Sequence, residues 1–231
     1  MRFSDIHSHF VYGMDDGAQT AQEMEAMLDA AAADGVGRLI ATPHMTPGVQ
    51  PFHEERFWRH LLEARAYCQI RRYSLNLYAG AEVLYTPALE HYMSSHALPT
   101  LANSQNVLLE FTPTIPFAEI AAVVDLLERN GYIPILAHVE RYKALSGLNI
   151  YRLKEQSSAL YQVNCSTVID GEGLFKDMQL SRWFRDELID YVASDSHNCQ
   201  ARKTRMKKAY TILSKRFGVE YARRLVGMFS L

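Results

Sequence analysis

Short apolar runs alternate along the chain with longer stretches in which apolar residues recur at helical spacing. This alternation is typical of an α/β protein with a largely parallel sheet. The apolar runs predict seven strands, at residues 3–6, 38–42, 75–82, 107–111, 133–138, 160–164 and 191–194. The longer stretches predict five helices, at residues 20–34, 54–70, 117–130, 176–188 and 202–217.

The ends of these elements carry ordinary boundary signals. Thr20, with Glu23 three residues later, fits a helix N-terminal capping box, and Gly35, Gly131 and Gly218 stand where helix C-terminal glycines belong. No linker, low-complexity tract or charge block divides the chain, so one domain over residues 1–231 is expected. The strand–helix alternation favours a barrel-like closure, with an open doubly wound sheet as the alternative.

Histidines and carboxylates recur where the predicted strands end. His7 and His9 follow the first strand, and residues two apart on an extended segment project to the same side. Further residues of these types end the later strands or lie on the loop after the first: Asp16, His44, Glu82, Glu110, His138, Asp195 and His197. In a parallel α/β protein the loops that leave the strands converge at this edge. The pattern therefore predicts a metal site, for which imidazole and carboxylate ligands suit Mn, Fe, Co or Zn.

Each of these side chains alone also has a structural explanation. A single histidine at a strand end is usually hydrogen-bonded within the protein, and Glu82 or Glu110 alone could pair with an arginine. Asp15 and Asp16 before Gly17 fit a turn equally well. The His-x-His and Asp-x-His pairs, together with the repeated strand-end placement, favour the metal site. The remaining histidines are predicted to lie at the surface: His53, His60, His91 and His96.

Composition and charge argue against several other classes of protein. With 24 basic and 26 acidic side chains and a pI near 6.5, the chain lacks the basic surplus of a nucleic-acid-binding protein. Its apolar stretches are far shorter than the roughly 20 residues needed to cross a bilayer, and no secretory signal is visible. Cys68, Cys165 and Cys199 are widely spaced, which argues against a disulfide framework or a thiolate zinc site. A cytoplasmic protein without membrane insertion is expected.

Several short motifs resemble those of a known superfamily. They are DIHSH at residues 5–9, MDDGA at 14–18, ATPH at 41–44, GAE at 80–82, LLEF at 108–111, AHVER at 137–141 and ASDSHN at 193–198. In order and spacing they resemble the PHP (polymerase and histidinol phosphatase) superfamily. Within it, the chain is most similar to the bacterial manganese-dependent protein-tyrosine phosphatases of capsule and exopolysaccharide synthesis. The resemblance extends from about residue 3 to about residue 220.

The resemblance implies a distorted TIM-like barrel of seven strand–helix units, with three divalent ions, most simply manganese, at the C-terminal ends of the strands. It assigns one ion to His7, His9, Glu82 and Asp195, a second to Glu82, Glu110 and His138, and a third to Asp16, His44 and His197. Arg141 and Arg202 match family arginines that bind the phosphate, and Asp195 is also a candidate general acid. Two departures are Val139, where the family usually has Pro, and a chain end soon after Arg224.

The implied reaction is hydrolysis of phosphotyrosine on the tails of bacterial tyrosine kinases, which would regulate capsule or exopolysaccharide production. Clustered divalent ions would provide a hydroxide near neutral pH and neutralise charge on the phosphoryl oxygens. Two alternatives keep the metal ligands: a phosphatase of a small phosphomonoester such as histidinol phosphate, and a non-catalytic metal-binding domain. The oligomeric state stays open.

One further spacing is that of cysteine-dependent phosphatases. Cys199 and Arg205 have five residues between them, but residues 200–204 contain no glycine and are predicted to begin a helix. A phosphate-binding loop of that class needs backbone amides curled around the phosphate. A cysteine mechanism is therefore not expected.

Overall fold

The structure is a computed structural model that describes residues 2–49, 52–171 and 173–227. Its strands are β1 (Phe3–Ser8), β2 (Val36–Ala41), β3 (His44–Met45), β4 (Asn76–Ala79), β5 (Glu82–Leu84), β6 (Asn106–Glu110), β7 (Ile133–Leu136), β8 (Leu160–Asn164) and β9 (Tyr191–Ala193). Its α-helices are α1 (Ala21–Asp34), α2 (Glu54–Ile70), α3 (Leu89–Met93), α4 (Phe117–Arg129), α5 (Asn149–Gln156), α6 (Cys165–Asp170), α7 (Leu174–Arg185), α8 (Met206–Phe217) and α9 (Val219–Gly227). Short 3₁₀ turns lie at Leu101–Asn103, Val139–Arg141 and Lys143–Leu145.

Backbone hydrogen bonds join the parallel strands in a ring. β1, β2 and β4 pair in that order, and a second run of pairs links β3, β5, β6, β7, β8 and β9. The two runs are continuous along the chain, because β3 follows β2 and β5 follows β4 after two residues each. On the opposite side, the Asp195 N–H donates to the His7 carbonyl at 2.9 Å and the His9 N–H to the Ser196 carbonyl at 2.8 Å. The segments therefore follow one another around the ring, in agreement with the predicted barrel-like α/β architecture.

Helix α1 shows how the outer layer is specified by the sequence. Its buried side chains recur at i, i+3, i+4 and i+7: Met24, Met27, Leu28 and Ala31. Thr20 Oγ1 accepts a hydrogen bond from the Glu23 N–H at 3.2 Å, which satisfies an otherwise free amide of the first turn. Gly35 ends the helix with a φ of 89°, in the left-handed region that glycine adopts without strain. The Thr20 cap and the Gly35 end are confirmed, whereas the Glu23 carboxylate accepts from the Gln19 N–H at 2.6 Å and not from the Thr20 N–H of a full capping box.

An apolar layer fills the ring below the predicted metal site. Its members come from strands on different sides of the ring and from two turns, which hold Leu101 and Ala137: Ile6, Ile40, Leu101, Leu108, Ile135, Ala137 and Ala193. Those on strands precede a predicted ligand by a few residues along the same segment, as Ile6 precedes His7 and Ala193 precedes Asp195. The predicted ligands therefore lie directly above a buried apolar layer.

The structure corrects some of the sequence predictions. The last long helix begins at Met206 and not at residue 202. Arg202 lies in a turn, where its backbone N–H donates to Asn198 Oδ1 at 3.0 Å. His60, predicted at the surface, is buried, with its ring stacked on Tyr12 at 3.6 Å between centroids. The short helices α3, α5, α6 and α9 were not predicted. Across the residues that the structure describes, no helix combines the length and apolar character needed to cross a membrane.

Candidate metal centre

Side chains with ligand atoms cluster at the C-terminal ends of the strands. Among the described residues, three sets have ligand atoms within 4.8 Å of one another: His9, Asp16, His44 and His197; His7, His9 and Asp195; and His44, Glu82 and Glu110. His138 contacts the third set, since its Nε2 lies 3.0 Å from Glu82 Oε1 and 3.5 Å from Glu110 Oε1. The structure thus brings all nine predicted ligand residues together. It differs from the implied sets in that His9 and His44 are each shared between two groups.

The inner end of the cluster consists of His7, His9, Glu82 and Asp195. All four residues are nearly inaccessible to solvent. His7 Nε2 and His9 Nε2 face each other at 3.1 Å. Glu82 Oε2 lies 3.2 Å from the first nitrogen and 3.4 Å from the second, and Asp195 Oδ1 lies 3.4 and 3.6 Å from them. Two imidazole nitrogens and two carboxylates therefore converge on one point.

The outer end of the cluster consists of Asp16, His44 and Glu110. Their side chains are 62, 33 and 20 % exposed. His44 Nδ1 lies 3.1 Å from Glu82 Oε2 and 3.7 Å from Glu110 Oε2, while its Nε2 lies 3.4 Å from Asp16 Oδ1. His44 therefore connects the two ends of the cluster.

Carboxylates hold the pKa of two of these imidazoles high. Burial opposes protonation of His7, but the charges of Glu82 and Asp195 raise its pKa to about 10. Burial also opposes protonation of His44, yet contact with Glu82 raises its pKa to about 9. Burial opposes ionisation of Glu82, but the charge of His7 and the hydrogen bonds from His138, His44 and His7 together lower its pKa well below its usual range. The cluster thus attracts positive charge, which protons or metal cations can supply.

His197 provides an independent test of whether the cluster fits metal ions. Its Nδ1–H donates to the Asp195 carbonyl at 3.0 Å, whereas its buried Nε2 has no hydrogen-bond partner among the described residues. Burial and the charge of His9 lower its pKa to about 4, so the ring is neutral at pH 7. A neutral imidazole with a free, inward lone pair beside carboxylates is the donor set that divalent transition metals take. The residues therefore fit a metal centre.

Arg141 and Arg202 meet at the Asp195 carboxylate. Arg141 Nη2 donates to Asp195 Oδ2 at 3.2 Å, and Arg202 Nη2 donates to both carboxylate oxygens at 3.1 and 3.2 Å. Arg202 Nη1 also reaches Asp16 Oδ2 at 3.2 Å. Arg141 thus pairs with Asp195, while the neighbouring Glu140 carboxylate accepts from the start of α6. Both guanidinium groups are about two fifths exposed, so an anion arriving from solvent can reach them.

Asp15 contacts two of the predicted ligands, although its place before Gly17 indicates only a turn. Its Oδ2 accepts from His9 Nδ1 at 2.6 Å and from the His44 N–H at 2.9 Å, so it orients two predicted ligands. The turn also needs Gly17, because a Cβ there would lie 2.1 Å from the His9 carbonyl oxygen. The Asp-Asp-Gly run indicated a turn and one ligand, but it did not show which carboxylate points inward.

Gln162 and Asn164 on β8 were also missed. Gln162 Oε1 accepts from the His138 N–H at 2.9 Å and lies 3.2 Å from His7 Nδ1. Asn164 Nδ2 donates to Asp195 Oδ2 at 2.8 Å. A signal was present, since two polar residues at alternate positions of an otherwise buried strand share one face. That face looks toward the cluster.

Two predicted ligands have unusual backbone conformations. His138 has a φ of 35° and Asp195 a φ of 50°, in the left-handed region that residues with a Cβ rarely adopt. Such a conformation costs about 1–3 kcal/mol and persists where the surroundings enforce it, commonly at functional sites. Here the ring of strands and the bonds to Gln162 and Arg202 hold both residues.

The Cys199 segment does not form a phosphate-binding loop. The Gln200 and Arg202 amides donate to Asn198 Oδ1 at 2.9 and 3.0 Å, so they are not directed at the thiol. Arg205 pairs with Asp170, with one Nη1–Oδ1 bond at 3.1 Å. Burial raises the pKa of the Cys199 thiol, which disfavours the reactive thiolate. The segment is a turn and not the predicted helix start, yet it lacks the features of a cysteine-dependent phosphatase.

An open groove of about 710 Å³ leads to the outer end of the cluster. Asp16, His44 and Glu110 contribute to its lining. It is also lined by Gly13, Met14, Asp15, Gln19, Thr46, His53, Arg56 and Leu84. The groove therefore combines ligand groups with apolar and cationic side chains.

Comparison with known proteins assigns the chain to a family. The family model for capsular polysaccharide synthesis, CpsB/CapC, matches residues 3–228. The chain is 30 % identical to the tyrosine-protein phosphatase CpsB of Streptococcus pneumoniae, and the match covers 96 % of this chain and 93 % of that protein. It is 31 % identical to the tyrosine-protein phosphatase YwqE of Bacillus subtilis, over 94 % of this chain and 85 % of that protein.

Comparison with solved structures agrees with the α/β fold described above. A structure from work on YwqE of Bacillus subtilis and CpsB of Streptococcus pneumoniae, described as metal-dependent tyrosine phosphatases, superposes with a TM-score of 0.84. It is 27 % identical, and the match covers 94 % of this chain and 89 % of that chain. The zinc-bound histidinol phosphate phosphatase of Lactococcus lactis superposes with a TM-score of 0.60 at 13 % identity, covering 99 and 95 % of the two chains. That second likeness concerns the fold alone.

Proposed function

Because the chain belongs to the CpsB/CapC family of capsular polysaccharide synthesis, we propose that it is a metal-dependent protein-tyrosine phosphatase. One observation carries the proposal: histidines and carboxylates form a dense cluster at the strand ends, and Arg141 and Arg202 lie at its rim. Cations for the phosphoryl oxygens and a site for metal ions are what hydrolysis of a phosphomonoester requires. We extend the proposal to one catalytic domain over residues 1–231.

The proposed metal content is three divalent ions, with manganese as the native metal. The overlapping ligand sets support more than one ion, since His9 and His44 each belong to two of them. Bound ions would supply a hydroxide near neutral pH and neutralise charge on the phosphate. The ligands proposed to hold them are His7, His9, Asp16, His44, Glu82, Glu110, His138, Asp195 and His197.

Arg141 and Arg202 are proposed to bind the non-bridging phosphate oxygens. Their planar donor groups match an anion with several oxygens, and substrate phosphate would replace part of their present contact with Asp195. Burial and the charge of Glu82 oppose ionisation of Asp195, but the charges of His7, His9 and His138 together lower the pKa of its carboxyl group. This favours an ionised Asp195 as ligand and acceptor over its other proposed role as general acid. A tyrosine phenolate, with a pKa of about 10, needs little protonation as it leaves.

The open groove favours a polypeptide substrate over a small metabolite. Asp16 is 62 % exposed and the open groove is also lined by Met14 and Arg56, so it has room for a chain segment. A site for histidinol phosphate would be expected to enclose its ligand. We propose a phosphotyrosine-containing tail of a bacterial tyrosine kinase as the substrate, and control of capsule or exopolysaccharide production as the consequence. The three unpaired cysteines agree with action in a reducing cytoplasm.

The test compares substrates and metals in one matrix. Metal-free protein is resupplied separately with Mn, Zn, Fe or Co and given a phosphotyrosine peptide, a phosphoserine peptide or histidinol phosphate. The proposal expects turnover of the phosphotyrosine peptide, highest with Mn. A kcat/KM more than about tenfold higher for histidinol phosphate, roughly 1.4 kcal/mol of barrier, would favour the metabolite phosphatase instead. Absence of turnover with every metal would leave the non-catalytic metal-binding domain.

A further inference from the structure

Two buried amide side chains on β8 connect three of the predicted ligands. Gln162 Oε1 lies 2.9 Å from the His138 amide nitrogen and 3.2 Å from His7 Nδ1. Gln162 Nε2 lies 2.8 Å from Asn164 Oδ1, and Asn164 Nδ2 lies 2.8 Å from Asp195 Oδ2. Both amides are at most 1 % exposed. A continuous line of hydrogen bonds therefore runs behind the cluster from His7 to Asp195.

Both ends of this line fix the direction of its hydrogen bonds. The His138 backbone N–H can only donate, so the Gln162 atom that faces it is the oxygen. The Asp195 carboxylate, which also receives Arg141 and Arg202, can only accept, so the Asn164 atom that faces it is the nitrogen. Turning either amide over would set two donors or two acceptors against each other.

The fixed direction determines which His7 nitrogen keeps its proton when a metal ion displaces the other. Gln162 Oε1 can only accept, so His7 Nδ1 must donate, and Nε2 faces Glu82 Oε2 at 3.2 Å and Asp195 Oδ1 at 3.4 Å. We propose that Gln162 is a positioning residue that holds His7 in the Nδ1–H tautomer, with Asn164 holding Gln162. This inference rests on the proposed metal-dependent function and adds to it the element that prepares His7 to ligate through Nε2.

His7 and His9 differ in the partner of their Nδ1 atoms, and this difference shows what Gln162 contributes. His9 Nδ1 pairs with the Asp15 carboxylate at 2.6 Å, whereas His7 Nδ1 meets a neutral amide oxygen. A carboxylate partner increases the basicity of a ligating imidazole more than a neutral acceptor does. Gln162 therefore orients His7 without adding a further negative charge beside Glu82 and Asp195.

The first test removes the acceptor and measures metal binding. Gln162→Met keeps the length of the side chain but offers no amide to His7, His138 or Asn164. Titration calorimetry of the metal-free protein with Mn²⁺ should show affinity about 10- to 100-fold weaker, the usual effect of losing a partner behind a ligand. Tyr161→Phe is the matched control, because it removes a buried hydrogen bond to the Ile150 carbonyl from the neighbouring position of β8. Its Mn²⁺ affinity should equal that of the unchanged protein.

The second test needs no variant and so does not depend on folding. In the unchanged protein, ¹⁵N-labelled at histidine and loaded with diamagnetic Zn²⁺, the His7 ring should carry its proton on Nδ1 and show metal coordination at Nε2. A proton on Nε2, or coordination through Nδ1, would overturn the proposal. So would a folded Gln162→Met protein that binds Mn²⁺ as tightly as Tyr161→Phe. Neither readout involves turnover, so a missing phosphatase activity would contradict the proposed function and leave this inference standing.

Discussion

The inner and outer ends of the ligand cluster are built differently. His7, His9, Glu82 and Asp195 are buried, and strands or hydrogen-bonded partners hold them in place. At the outer end, the Asp16 side chain is 62 % exposed and lies on the loop before α1, and His44 is 33 % exposed. The side chains of the inner end are therefore already in place before a metal ion binds, whereas the outer end borders the groove.

This difference predicts a division of roles. A metal site whose ligand side chains are held in place and shielded from solvent binds cations more tightly than one whose side chains must be ordered on binding. We expect the inner end to retain metal and to support the fold of the site, and the outer end to exchange metal and to receive substrate. Substitutions at the two ends should then differ in size and in whether added metal rescues them.

The largest effect is expected from Asp195→Ala at the inner end. This change removes a predicted ligand and the shared acceptor of Arg141, Arg202 and Asn164. We expect kcat/KM on a phosphotyrosine peptide to fall by at least about 10³-fold, roughly 4 kcal/mol of barrier, with loss of bound metal by elemental analysis. Asp125→Ala, which removes an exposed surface carboxylate, is the control. Retention of the full metal content by the Asp195 variant would contradict the role of the inner end.

The arginines at the rim should affect turnover without affecting metal content. Arg141→Ala and Arg202→Ala should each lower kcat/KM by about 10²-fold, near 2.7 kcal/mol, the usual size for one lost transition-state donor. Arg129→Ala removes a surface arginine that pairs with Asp125 and should change nothing. If either rim variant lost metal in parallel with activity, its guanidinium would be supporting the cluster and not the phosphate.

How far the sequence predicts this site depends on the kind of residue. Glu110, His138 and Asp195 follow apolar runs directly, so strand periodicity alone directed attention to the edge where they meet. His60 was predicted wrongly because its burial depends on Tyr12, which is distant in sequence. The partners Asp15 and Gln162 carry no motif, since their value lies in which atom faces which histidine. The short helices α3, α5, α6 and α9 depend on tertiary packing more than on local periodicity.

The dependence of metal affinity on pH should reflect the protons that a metal ion must displace. The pKa values of His7 and His44 are raised from 6.5 to about 10 and 9. In metal-free protein at pH 7 both rings therefore carry a proton on each nitrogen and are positively charged. Metal affinity should therefore rise by about tenfold per pH unit for each proton displaced, up to pH 9. Calorimetry at pH 6.5, 7.5 and 8.5 in two buffers counts these protons. An affinity that is constant over this range would contradict the raised pKa values.

The same protons set the stability of the metal-free protein. A pKa that is higher in the folded than in the unfolded state stabilises the fold fully below the unfolded pKa, here 6.5, and the contribution is lost as pH rises through 9 to 10. The melting temperature of metal-free protein should therefore decrease over this window as far as these two histidines determine it. With metal bound the trend should reverse, because binding then gains from higher pH.

A smaller effect is expected from Asp16→Ala at the outer end. Asp16 is exposed and shares its position with His44 and His197, which lie 3.4 and 3.3 Å from its Oδ1. We expect about a tenfold loss of kcat/KM that excess Mn²⁺ largely restores, because the remaining ligands still bind the ion weakly. Asp15→Ala should lose more and recover less, since it releases His9 at the inner end. Equal losses and equal recovery in the two variants would remove the distinction between the ends.

The smallest effect is expected from Cys199→Ser, which tests whether anything outside the two ends performs the chemistry. Cys199 is an exposed residue, partial desolvation and the charges of Asp29 and Glu23 raise the pKa of its thiol, and the nearby amides of Gln200 and Arg202 are bound by Asn198. Serine preserves size and polarity, so turnover of the phosphotyrosine peptide should remain within about twofold, less than 0.5 kcal/mol of barrier. A chelator should abolish activity equally in both proteins. If the serine variant folded normally but lost turnover, the cysteine mechanism would replace the metal centre, and the comparison between its inner and outer ends would no longer bear on catalysis.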